Sequence, residues 1–476
     1  MMRIRHYIAR AACPLVVALV GLSTSFVVQA QSIAATAPSD EQMLIVKGRY
    51  LATAGDCVAC HTARPDQPFA GGVPLSSPMG TIYSTNITPS KTAGIGNYSL
   101  EDFSRALREG VAPGGRHLYP AMPYTAYAGI NDEDVKALYA YFMHGIAPID
   151  VKARATELPF PFNVRLSMVG WNLLFLDTLA PAPPNQSPQW LRGRYLTETL
   201  AHCSTCHTPR NALMAEDKNR NFAGASLGAW YAPNITSDPI SGIGGWSIEE
   251  LFAYLKTGHA QGKAQAAGPM LEAVDHSFSK LTDSDLQAIA AYVKTVPAQQ
   301  NPGTTRPAYG WGKAQDLTAA IINEPWPEDR NLLSGAQLYN GYCASCHQAN
   351  GAGSNGLPSL AGNTALGQPN ADNAVMAILE GVHHSADSTV VDSMPAFGHE
   401  LNDGQVATLV NFLQQNYGRP DVGMTPERVA TLRAGGAPSP LVKLAPALVV
   451  GTFVIFLLLL LLVFRWRRRK RRLARR

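Results

Sequence analysis

Six of the seven cysteines of this 476-residue chain fall into one pattern repeated three times: Cys57-Val-Ala-Cys60-His61, Cys203-Ser-Thr-Cys206-His207 and Cys343-Ala-Ser-Cys346-His347. Two thiols two residues apart, followed at once by an imidazole, form a covalent haem attachment signature. The sulfurs add across the two vinyl groups, and the histidine turns its ring onto the iron. A zinc half-site or a thioredoxin-like dithiol is the competing reading of one copy. It weakens with three, because every pair carries its own histidine and the copies lie 146 and 140 residues apart. A disulfide framework would seldom place six cysteines in one five-residue pattern. The reading is therefore three covalently bound c-type haems, on Cys57 and Cys60, Cys203 and Cys206, and Cys343 and Cys346, with His61, His207 and His347 as iron ligands.

A histidine-bound iron that shuttles electrons needs a second axial ligand, and a methionine thioether raises its potential. Met122 in Tyr-Pro-Ala-Met-Pro, Met270 in Gly-Pro-Met and Met394 in Ser-Met-Pro stand 61, 63 and 47 residues after the motif histidines, each before the last helix of its repeat. Their repeated placement favours ligation over the core packing that is a single methionine's usual role. Met79, Met214, Met376, His117, His259, His383 and His384 are rivals that do not recur at one place in all three repeats. Arg64 and Arg210, each three residues after a motif histidine, suit either a haem propionate or a solvated surface.

Repeats in the flanking sequence divide the chain. An early helix precedes each motif, with Gly48-Arg-Tyr-Leu51, Gly193-Arg-Tyr-Leu196 and Gly335-Ala-Gln-Leu-Tyr339 in matching places. A late helix follows, started by cap signals at Asn131, Thr282 and Asn402. Its pairs Leu138 and Tyr141, Ile289 and Tyr292, Leu409 and Phe412 share one face, able to pack on the early helix. Repeats one and two also share Phe-Ala-Gly, Asn-Ile-Thr and Gly-Ile-Gly segments, as after a duplication. The third is shorter, and its Leu357-Pro-Ser-Leu-Ala-Gly362 segment resembles one in small class I cytochromes c, a resemblance that implies the Pro358 carbonyl as acceptor for the ligand histidine N–H.

The expected fold is mainly α: three tandem class I cytochrome c-like domains plus a C-terminal transmembrane helix. The boundaries are a signal peptide at 1–30, domains at 31–154, 189–299 and 331–420, linkers at 155–188 and 300–330, and a stalk at 421–443. A span at 444–464 and a basic cytoplasmic tail at 465–476 complete the chain. Arg3, Arg5 and Arg10 before an apolar stretch and Val28-Gln-Ala30 support the leader, with which Cys13 is lost. Leu444–Phe464 has no charge and is followed by Arg465–Arg472, which the positive-inside rule places in the cytoplasm. A basic tail beside such a segment argues for topology rather than nucleic-acid binding, and no nucleic-acid partner is expected. With +3 in the leader and +9 in the last twelve residues, a net charge of +4 leaves the body at −8. The first linker holds the apolar run Leu166–Leu176, expected to pack between haem domains, with a docking or membrane-surface helix as the alternative.

The three motifs, the Thr-Asn-Ile-Thr and Gly-Ile-Gly-Asn-Tyr-Ser segments and Tyr-Pro-Ala-Met-Pro-Tyr resemble the triheme cytochrome c subunit of bacterial membrane-bound dehydrogenases, of the gluconate, sorbitol and fructose type. The alcohol and aldehyde dehydrogenase subunits are also similar. The resemblance implies a large periplasmic dehydrogenase partner, with FAD favoured over pyrroloquinoline quinone, a small third subunit as an option, and ubiquinone in the cytoplasmic membrane as acceptor. It implies electron transfer with no substrate-oxidising site on this chain. A free-standing tethered carrier to a terminal oxidase and a multihaem peroxidase-like enzyme are the alternatives.

Overall fold

The computed structural model describes residues 39–77, 79–177, 179–354, 357–384, 393–437 and 440–473. The expected leader at 1–30, and Cys13 with it, lie outside the described residues. Among the described residues the fold is mainly helical, with only short two-stranded antiparallel ribbons.

The early helices are Asp40–Ala54, Pro188–Tyr195 and Gly335–Tyr342, and the late helices are Asp132–Ala140, Asp283–Val293 and Asp403–Tyr417. Each late helix starts where the caps predict: Asn131, Thr282 and Asn402 accept from the backbone N–H of Asp134, Asp285 and Gln405. The two helices cross at the matched glycine. A Cβ on Gly48 would lie 1.9 Å from the Ala137 carbonyl oxygen, and one on Gly193 2.0 Å from that of Ala288. Both glycines also meet the Cβ of the late-helix aromatic, Tyr141 or Tyr292, so a missing side chain sets how closely the helices approach. Gly335 meets the Cβ of Phe412 at 2.5 Å.

The first two units repeat their ribbons as well. Pro74–Ser77 pairs with Gly80–Tyr83, and Ala225–Leu227 with Trp230–Ala232; farther on, Val111–Ala112 pairs with Arg116–His117, and His259–Ala260 with Ala264–Gln265. The third unit has only the isolated bridge Val382–Met394 among the described residues. One hydrophobic core runs through units one and two, from Leu51 to Val296, while unit three builds its own around Leu338, Tyr339, Val406 and Tyr417.

The first two units meet in a reciprocal polar contact. Tyr50 donates to Asp285 Oδ2 at 2.6 Å, and Tyr195 to Asp134 Oδ2 at 2.6 Å. The same tyrosine of each early helix reaches the same aspartate of the other unit's late helix, the self-complementary pattern of a two-fold pair. Burial raises the Asp285 carboxyl, but the Arg192 guanidinium and the Tyr50 hydroxyl outweigh it and hold the group below its ordinary range.

The connectors pack closely. In the second, Tyr309 joins Trp246 of unit two in stacking on Lys263, while Arg306 and Arg419 flank Trp311, tying the strap to units two and three. Helix Ser167–Phe175 of the first turns Trp171 onto Tyr124 of unit one and donates the indole N–H to Leu213 of unit two, but leaves Leu166, Val169, Leu173 and Leu174 exposed. It reaches both domains, as expected, with one face only. The segment read as a stalk contains helix Pro426–Arg433, whose Val429 and Leu432 are buried in the third core.

Among the described residues no helix is long and apolar enough to cross a membrane, so the C-terminal span expected at 444–464 is not supported. One helix, Pro440–Leu473, runs through the apolar residues and on through the arginines without a break.

Candidate functional site

Each motif forms a single turn of helix: Cys57–His61, Cys203–His207 and Ala344–His347. In units one and two the residue before the first cysteine is left-handed, Asp56 at φ 49° and His202 at φ 38°, which reverses the chain between early and motif helices. In unit three the left-handed residue is Gln348, after the histidine. One turn brings the two thiols and the imidazole together, as the spacing requires.

The three imidazoles are held alike. His61 Nδ1 lies 2.7 Å from the Thr85 carbonyl oxygen, His207 Nδ1 2.6 Å from that of Pro233, and His347 Nδ1 3.2 Å from that of Pro358. A carbonyl can only accept, so each Nδ1 carries the proton and each Nε2 keeps its lone pair. Burial lowers all three imidazole pKa values, favouring the neutral ring that an iron ligand requires. Pro358 was legible as an acceptor in the sequence. Thr85 and Pro233 were missed, although both directly precede the repeated Asn-Ile-Thr. That segment is built to present a carbonyl: the Asn86 and Asn234 side chains each accept from the Thr two residues on, at 2.8 Å from its N–H and 2.7 Å from its hydroxyl.

The six motif cysteines form no disulfide with one another. Burial pushes Cys57, Cys60, Cys203 and Cys343 up to about 12. Such surroundings stabilise neutral sulfur, which suits a thioether.

A cavity of about 350 Å³ lies between units two and three. Cys203, His207 and Met270 line it from one side and Cys343, His347 and Met394 from the other. Thiol pair, imidazole and thioether on apolar walls are the donor set of a c-type haem, and they fit the group. Met122, with Cys57 and Val58, packs against the shared core of the first two units. Met122 and Met270 occupy equivalent places, each five residues beyond a ribbon, which ends at His117 in unit one and Gln265 in unit two. Met394 is fixed differently, by paired 2.9 Å backbone hydrogen bonds with Val382.

The rivals separate. Met376 is buried inside helix Asp372–Glu380, His259 is bonded to Gln265 at 2.8 Å, and His384 to Asp275 at 3.0 Å. His117 has a buried Nδ1 without a hydrogen-bond partner and sits on the ribbon before Met122, so it remains the rival ligand in unit one. Arg64 pairs with Asp66 in solvent, and Arg210 donates to the Thr205 carbonyl at 2.6 Å.

Units one and two also bring their motif helices together. Tyr127 donates to the Gly55 carbonyl at 3.1 Å and stacks edge-on against His202, the residue before Cys203.

The cytochrome c family profile matches residues 192–297 and 332–416. The fructose dehydrogenase cytochrome subunit of Gluconobacter japonicus is 45% identical over 441 residues, 89% of this chain and 90% of that protein. The gluconate 2-dehydrogenase cytochrome c subunit of Pantoea cypripedii is 40% identical, over 82% and 89% of the two chains. The cytochrome c subunit of the quinone alcohol dehydrogenase of Gluconobacter oxydans is 36% identical, over 85% of each. Haem c, covalently bound, is the cofactor of such domains. The chain belongs to the family of cytochrome c subunits of dehydrogenases.

Proposed function

We propose that this chain carries electrons from a partner dehydrogenase to ubiquinone in the membrane, using three haem c groups, one on each motif. The observation that carries the reading is the threefold repetition of a Cys-x-x-Cys-His turn whose imidazole is held by a backbone carbonyl. When bound, haem c supplies a one-electron couple between ferric and ferrous iron. The cysteine pairs would hold it covalently, and His61, His207 and His347 together with Met122, Met270 and Met394 would bind its iron. The Thr85, Pro233 and Pro358 carbonyls fix the imidazole tautomer and ring orientation, and Trp246, Leu251 and Ile378 keep water from the cavity of units two and three. The haem domains occupy 31–154, 189–299 and 331–420.

Higher identity to the fructose and gluconate relatives than to the alcohol dehydrogenase relative supports a sugar or sugar acid as the partner's substrate, and with it FAD rather than pyrroloquinoline quinone. The haem motifs and the leader-like N-terminus support a location outside the cytoplasm, at the cytoplasmic membrane.

The test is mild detergent purification of the tagged chain from its native membrane. Copurifying subunits are identified by mass, and haem reduction is followed on adding fructose, gluconate or ethanol. A large dehydrogenase and one substrate that reduces three haems per chain are expected. A substrate-inert chain isolated alone would favour the free-standing carrier instead.

A further inference from the structure

The helix Ser167–Phe175 is uncharged, as is the whole run Leu166–Leu176. Its inward side is fully engaged. Trp171 donates to the Leu213 carbonyl at 3.0 Å, and Asn172 accepts from Tyr124 at 2.8 Å while donating to the Glu109 carbonyl at 2.9 Å. Its outward side is aliphatic: Leu166, Val169, Leu173 and Leu174 fall on one face at helical spacing, and Leu173 is 87% and Leu166 76% exposed. Phe160, 66% exposed, precedes them in the same connector. Arg165 begins the run, tied to the His117 carbonyl at 2.7 Å and stacked on Tyr119, with the exposed Arg116 close enough to be felt electrostatically.

We propose that this face docks on a lipid surface, with its leucines among the acyl chains and Arg165 and Arg116 at the level of anionic headgroups. Charge and hydrogen bonding select lipid over a protein partner. Protein interfaces carry about one hydrogen bond per 100–200 Å² and a polar rim, and their binding energy concentrates in Trp, Tyr and Arg rather than Leu and Val. Here the only polar side chains of the helix, Ser167, Asn172 and the Trp171 indole, are already satisfied within the chain, leaving the outward face nothing to offer a protein acceptor or donor. A lipid surface asks for none, and flanking arginines match its negative charge. The docking is peripheral. It goes beyond the electron-carrier reading and does not depend on it, and it sets unit one, with its Met122 loop, nearest the bilayer.

The test uses the purified holoprotein with its copurifying subunits and vesicles of phosphatidylcholine and phosphatidylglycerol bearing a photoactivatable acyl chain, with adducts mapped by peptide mass. Adducts within residues 160–176 are expected. They should fall about tenfold or more in Leu173→Asp/Leu174→Asp with the haem spectrum unchanged, hold in Val46→Asp at an exposed apolar position elsewhere, and weaken in vesicles of phosphatidylcholine alone. No adduct in this segment, or adducts that appear only after the dehydrogenase subunit is stripped away, would overturn the proposal; the second result would assign the face to that subunit.

Discussion

Units one and two share a single hydrophobic core and exchange hydrogen bonds reciprocally, whereas unit three keeps its own core and faces unit two across a cavity lined by the candidate ligand residues of both. The third residue of the late helix shows where the difference arises. It is Asp134, Asp285 and Gln405 in the three units. The aspartates each accept a tyrosine from the other unit of the pair, while Gln405 turns to its own connector and donates to the Arg330 carbonyl at 3.0 Å. A duplicated pair can grow into a fused body when one residue type at one helical position serves both halves. A unit lacking that residue attaches by another face.

The largest expected effects probe the glycine crossings. Gly48→Ala and Gly193→Ala place a methyl group about 2 Å from a backbone carbonyl oxygen, and each should lose about 3 kcal/mol or more in urea melts followed by haem absorbance. Gly335→Ala places its methyl group 2.5 Å from the Phe412 Cβ and 3.1 Å from the Thr408 carbonyl oxygen, a looser approach to backbone than at the other two crossings, and should lose about 1–2 kcal/mol. Equal losses at all three sites would erase the contrast between the fused pair and the third unit.

Next come the thioethers. Met270→Ala and Met394→Ala should each lower one haem potential by on the order of 0.1 V in a spectroelectrochemical titration, within the range that axial ligands set. Because both line one cavity, each is expected to perturb its neighbour's potential as well. Met122→Ala should shift one potential alone. An unchanged low-spin spectrum in Met122→Ala would transfer the ligand role to His117.

Asp285→Asn should cost about 1 kcal/mol, since the partner Arg192 is one-third exposed and partly screened. The native carboxyl is held below its ordinary value, so its stabilisation is complete above about pH 4 and fades as pH falls further. Acid unfolding of the wild type should therefore be steeper below about pH 4 than that of Asp285→Asn. Matching acid limbs would show that the carboxylate contributes nothing to the pair.

The smallest effects belong to Tyr50→Phe and Tyr195→Phe, each about 0.5–1 kcal/mol. Pseudo-symmetry predicts near-equal values, and a cycle with Asp285→Asn should show coupling for Tyr50 and none for Tyr195.

Much of the local structure was readable in the residues. The three matched glycines, the caps at Asn131, Thr282 and Asn402, and the late-helix aromatics all fell where the repeats indicated, because each depends on neighbours within one turn or one crossing. The acceptor role of Thr85 and Pro233 went unread although Asn-Ile-Thr stands out in both units, since the functional atom is a backbone carbonyl and leaves no side-chain signature. The apolar run at 444–464 was misread for a related reason. Hydropathy marks an uncharged window, but among the described residues no helix is long and apolar enough to cross a membrane.

The amino-acid order alone pointed to the chemistry, because a thiol pair and an imidazole within one helical turn need no distant partner to mark a candidate haem site. It also placed the glycine at each helix crossing. Folding decided the relations between repeats: that Tyr50 reaches Asp285 and Tyr195 reaches Asp134, that units two and three join through a common cavity, and that helix Ser167–Phe175 keeps one face uncovered. Such contacts join residues as many as 235 positions apart. Their energies lie in burial and approach that no local pattern encodes.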